Sequence, residues 1–124
     1  MALCDFSTRV VVYKGYGNPI SVVPYRDVRN NLPVNMLAAT KVEVCIGGVT
    51  AASNDAPAYV WWDENDDTVA DDDPAKLWTI HFKPGLIPAL PLGEQDASIT
   101  VFSTDYPNGL VLTHTYPLEI LEIC

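Results

Sequence analysis

The sequence predicts an all-β protein, an antiparallel sandwich of about seven to nine short strands, on three observations. Segments that alternate apolar and polar residues recur along the chain, most clearly Lys41 to Ile46 and Trp78 to Phe82. Turn-forming residues, among them ten prolines and seven glycines, separate these segments. No stretch carries the helical periodicity that would bury one face of a helix.

Thr8 to Tyr13 is rich in β-branched residues and stops at Gly15 and Gly17, so it reads as the first strand. Ile20 to Tyr25 follows, and Pro24, which has no N–H for a ladder, places it on an edge or at a bulge. Arg26 to Asn31 is polar and ends at an Asn pair, which predicts a turn. Leu32 to Thr40 is a turn-forming entry to the clearest strand, in which Val42, Val44 and Ile46 face the core while Lys41, Glu43 and Cys45 face away. Gly47-Gly48 suits a tight hairpin into Val49 to Ala52, and Ser53 to Pro57 is a loop.

Ala58 to Trp62 returns to strand composition, and because neighbouring strand residues point to opposite faces, one of Trp61 and Trp62 must leave the core. Asp63 to Asp73 cannot bury itself and is expected to be a mobile loop. In the next strand Trp78, Ile80 and Phe82 share the core face, with Leu77, Thr79 and His81 opposite. Lys83 to Gly93, punctuated by Pro84, Pro88 and Pro91, is expected to cross the molecule in extended form. Ala97 to Ser103 alternates, Tyr106-Pro107-Asn108-Gly109 is a turn, and Leu110 to Thr113 completes a hairpin. The alternation in Tyr116 to Ile123 slips between Ile120 and Leu121, which calls for a bulge or for cover on both faces. These elements make a single sandwich of immunoglobulin-like type over residues 1–124, with a small barrel as the alternative.

A chain of 124 residues buries roughly two thirds of its unfolded surface and needs no covalent staple. Its formal charge of −9 excludes binding to nucleic acid through phosphates and disfavours an anionic membrane surface. Seven of the acids, Asp63, Glu64, Asp66, Asp67, Asp71, Asp72 and Asp73, lie in one segment with no base among them. Cys4, Cys45 and Cys124 are odd in number and have no metal or redox spacing, so they are read as reduced thiols of a protein made in a cytosol. The start of the chain lacks a basic, then apolar, leader, and no run approaches the ~20 apolar residues of a spanning helix, so neither secretion nor membrane insertion is expected.

The order of features, Val10 to Gly15, then Leu32-Pro33-Val34-Asn35-Met36-Leu37-Ala38-Ala39-Thr40-Lys41-Val42-Glu43-Val44, then Trp78 to Phe82 and Ala97 to Ser103, resembles a phage domain family. That family is the N-terminal immunoglobulin-like domain of baseplate upper proteins and related tail-fibre and virion modules. Asn35 stands where the family often has Asp, and Leu37-Ala38 where it has Thr-Gly. The resemblance implies a non-enzymatic virion protein, made in the host cytoplasm, that joins or decorates components of a baseplate, tail fibre or neck, often as a homo-oligomer, with other virion proteins as partners. A capsid decoration protein is the nearest alternative.

The residues themselves specify no chemistry. His81 and His114 have no Ser or Cys and acid in a chain order that would announce a triad. No phosphate loop or paired-carboxylate signature is present, and no cofactor is expected. Asp63, Asn65 and Asp67 have the alternate spacing that begins a calcium loop, but Thr68 replaces its glycine and Pro74 its bidentate Glu, so they remain weak metal candidates. Trp61 or Trp62 offers an outward aromatic ring for a partner, or for a sugar if polar groups converged beside it, which sequence alone does not identify. Leu121 and Ile123 are candidate interaction residues along the last strand, either tucked into the domain or forming an edge for a neighbouring subunit. A carbohydrate-binding module using the exposed tryptophan is the alternative of another class.

Overall fold

A computed structural model describes residues 9–17, 19–23, 34–73 and 76–123. Eight strands are formed among them: β1 (Val10–Tyr13), β2 (Ile20–Val22), β3 (Ala39–Ile46), β4 (Val49–Ala52), β5 (Val60–Glu64), β6 (Trp78–Phe82), β7 (Gly93–Ser103) and β8 (Leu110–Leu121). They build two sheets, a five-stranded one in the order β1-β8-β7-β3-β4 and a three-stranded one in the order β2-β6-β5. All pairings are antiparallel except that of β1 with β8, which is parallel from Val10 opposite Leu118 to Tyr13 opposite Leu121. This division of strands, with β7 beside β3 in one sheet and β6 beside β2 in the other, each pair drawn from distant parts of the chain, is that of an immunoglobulin-like sandwich.

The core follows the period-two pattern. Val42, Val44 and Ile46 on β3 and Ile80 and Phe82 on β6 are fully buried, and Trp78 is nearly so. They meet Val12, Ile99, Val101, Leu118 and Ile120 in one continuous cluster between the sheets. Asn35 shapes the entry to β3: its side-chain oxygen accepts the Leu37 N–H at 3.0 Å and starts the 3-10 turn Met36–Ala38, whose Met36 drops into the core. Asn thus does the capping work that an acid would do at the same place. At the other end of β3, Gly47 and Gly48 have φ of 56° and 86°, so Ile46 can pair directly with Val49 across a two-residue turn.

Several boundaries differ from the sequence reading. Asp63 and Glu64 belong to β5, not to the acidic loop, because they pair with Thr79 and Trp78. Lys83 to Gly93 is not extended throughout: Pro84–Leu86 forms a 3-10 turn, and Ile87 and Leu90 anchor the crossing in the core. The last two expected strands are one, β8, of 12 residues. Its irregularity lies mid-strand, where the register with β7 shifts between Ala97 and Thr100, rather than at Ile120. Leu118 and Ile120 are buried, whereas Leu121 and Ile123 are exposed, so both faces of its end are not covered. Nor is the end of β8 an edge, since β1 pairs with Leu118 to Leu121 on one side and β7 lies on the other. The turn expected at Arg26 to Asn31, Pro24, Cys4 and Cys124 lie outside the described residues.

Candidate functional site: the outer face of the small sheet

The outer face of β2-β6-β5 carries the densest set of functional side chains. Register places Ser21, His81 and Trp61 in one row, since His81 is opposite Ser21 on one side and Trp61 on the other. Ser21 Oγ lies 2.9 Å from His81 Nδ1, and His81 Nε2 lies 2.9 Å from Asp63 Oδ1. The arrangement is consistent with the Ser21 hydroxyl donating to Nδ1 and Nε2–H donating to the carboxylate, the tautomer being set by these two partners. Trp61 stacks on the imidazole, with ring centroids 5.5 Å apart and planes 22° from parallel, and Lys83 Nζ stands 5.4 Å from the indole. Trp61 is 36% exposed, while Trp62, on the opposite face, packs against the core.

A Ser–His–acid chain is therefore present, contrary to the expectation from chain order. Residues 21, 63 and 81 sit on three strands, and sheet register alone brings them together. The row lies on a sheet face whose Ser21, Trp61 and Asp63 are exposed, and among the described residues nothing covers it to exclude water from an acyl transfer. His114, by contrast, is an exposed residue of β8.

The acidic segment is organised by a buried cation. Lys76, 3% exposed, inserts its ammonium between the carboxylates of Glu64 and Asp71 and donates to the Val69 carbonyl at 3.0 Å. Its nitrogen also lies 5.0 Å from the Trp78 ring centroid. Hydrogen bonding to Asp71 and then Glu64 raises the Lys76 pKa above its ordinary 10.5, outweighing the downward push of burial. The same contact holds Asp71 below its ordinary 3.8. Asp66 is lowered as well, because its carboxylate accepts from the Thr68 hydroxyl and backbone N–H.

The calcium-like triplet is dispersed by these contacts. Asp63 is engaged by His81, Asn65 accepts from the Thr79 hydroxyl, and Asp67 stays exposed in the turn. Among the described residues no group of three or more His, Cys, Asp or Glu side chains converges as a metal site, and no helix is long and apolar enough to cross a membrane.

An open groove of about 400 Å³ runs beside β4, lined by Val49, Ala51, Asp55, Pro57, Tyr59 and Ile87. Asp55 is committed there to the local turn, accepting the Ala52 N–H at 2.9 Å. At one end of the sandwich, where β1 and β8 finish and β7 begins, Tyr16, Leu86, Leu92, Leu121 and Ile123 are exposed. Cys45 is half-buried on the outer face of β3, in line with Lys41 and Glu43. No protein-family model, curated protein or solved structure matches the chain.

Proposed function

We propose that this chain is a non-enzymatic structural module of a tailed-phage virion, an immunoglobulin-like adaptor that links or decorates neighbouring virion proteins through surface complementarity. The single observation that carries the reading is the apolar end of the sandwich. Tyr16, Leu86, Leu92, Leu121 and Ile123 are large side chains left in water at the place where three strands and the 3-10 turn meet, and an apolar group of this kind marks a surface that binds protein. The sequence likeness to virion immunoglobulin-like modules supports the same class, and the observed sandwich is the fold that likeness implies.

Leu121 and Ile123 then act as contact residues rather than as a strand edge, with a second copy or another virion component as the partner. Light scattering on the purified chain, and pull-down from a phage lysate, test this. An oligomer or a captured virion protein that is lost in the double variant Leu121→Asp/Ile123→Asp supports the adaptor role. A strictly monomeric chain that captures no virion component overturns it.

A further inference from the structure

We propose that the outer face of β2-β6-β5 is a binding site for a neutral hexose oligosaccharide, with Trp61 as the stacking ring and Asp63, Ser21 and Lys83 as the hydroxyl-recognising groups. This inference does not depend on the adaptor reading. A pyranose presents an apolar C–H face and a rim of hydroxyls, so its site needs an aromatic ring with polar groups beside it that still have hydrogen bonds to give.

Each requirement is met by a named atom. Trp61 keeps 36% of its surface open, and its plane is held by the stack on His81, so little side-chain freedom remains to be lost on binding. Asp63 spends Oδ1 on His81 and leaves Oδ2 in a side chain 60% exposed, a strong charge-assisted acceptor for a sugar hydroxyl. The ammonium of Lys83, over the indole at 5.4 Å from the ring centroid, donates, and the exposed Ser21 oxygen, whose own hydrogen goes to His81 Nδ1, accepts. His81 is a positioning residue: both its nitrogens are used within the sheet, one aligning Ser21 and the other Asp63. The row from Ser21 to Trp61 crosses two strand spacings, ~10 Å, which matches one or two sugar rings.

Charge decides the class of sugar. The chain carries −9, and the acidic segment continues directly from Asp63, so acidic sugars such as uronates are repelled, while uncharged hexoses meet no such penalty. The same field and the single lysine exclude a polyanion as the occupant.

The test is an NMR titration of the whole chain, following the backbone amide and indole N–H signals, with cellohexaose, maltohexaose and galactotetraose as neutral probes and an oligogalacturonate as the acidic one. At least one neutral probe is expected to shift the Trp61 signal with millimolar or tighter affinity. Trp61→Ala should weaken that binding about tenfold or more. Asp63→Asn, which preserves shape, should weaken it severalfold with the fold intact by circular dichroism. No shift with any neutral probe at about 10 mM overturns the proposal. So does undiminished affinity in Trp61→Ala and Asp63→Asn, a shift confined to the groove beside β4, or a preference for the oligogalacturonate.

Discussion

Replacing Gly85 by Ala isolates the contact that fixes the apolar end of the sandwich. A Cβ built on Gly85 overlaps the carbonyl oxygen of Tyr16 and lies 2.6 Å from that of Tyr13. Both obstacles are backbone, so no rotamer change relieves them. The turn after β1 must move, and with it the 2.7 Å hydrogen bond from the Gly15 N–H to the Gly85 carbonyl. Overpacking costs about 1–3 kcal/mol, and each lost backbone hydrogen bond about 1 kcal/mol. The variant should therefore lose about 2–4 kcal/mol, a fall in Tm of about 8–16 °C for a domain of this size. Gly48→Ala is the control: nothing lies within 4 Å of its Cβ, but its φ of 86° is left-handed. It should lose only about 1–2 kcal/mol. Thermal unfolding followed by circular dichroism, with urea titration beside it, reads both. If Gly85→Ala loses no more stability than Gly48→Ala, the close approach of the 3-10 turn to the β1 turn is not what holds this end together.

Three further outcomes follow from the same geometry. Phe82→Ala removes a fully buried ring that meets Tyr116 edge-on, centroids 6.2 Å apart, and should cost about 3–5 kcal/mol in urea unfolding. Lys76→Met keeps the apolar stem on Trp78 but leaves Glu64 and Asp71 without their cation, so amide exchange in the segment, including Asn65 N–H to the Leu77 carbonyl, should accelerate. The advantage of wild type over Lys76→Met is full between the ordinary values of 3.8 and 10.5; it is lost as pH falls through the lowered pKa of Asp71, and again as pH rises through the raised pKa of Lys76. Millimolar calcium should release no heat in calorimetry, because Asp63 and Asn65 are already hydrogen-bonded within the sheet.

What the sequence disclosed, and what it withheld, divides along the range of the interaction. Val42, Val44 and Ile46, and Trp78, Ile80 and Phe82, were legible because a buried sheet face imposes a two-residue period that no distant residue can alter. The split of the tryptophans was legible for the same reason. β8 reads as two strands in the sequence because its bulge opposite Ala97 to Thr100 breaks the alternation locally while the ladder with β7 resumes on both sides of it. Ser21, His81 and Asp63 come from three strands, and their meeting depends on register, which the linear pattern does not encode. Lys76 stands outside the acidic run, so the linear pattern does not tie it to those acids. Only the fold shows that Glu64 and Asp71 close on it.

Lys76 also gives a physical reason why the acids of this segment do not converge as a cation site among the described residues. A calcium loop gathers carboxylates that would otherwise repel, and the metal supplies the compensating charge. Here the chain supplies it from within. An ammonium 3% exposed, satisfied by two carboxylates and the Val69 carbonyl, occupies the centre of the segment. Displacing it would expose a buried lysine stem and its packing on Trp78. The remaining acids, Asp66, Asp67, Asp72 and Asp73, are exposed. One buried cation thus engages Glu64 and Asp71 and leaves Asp63 to be held by His81 on the outer face of the small sheet, where its second oxygen is available to a ligand.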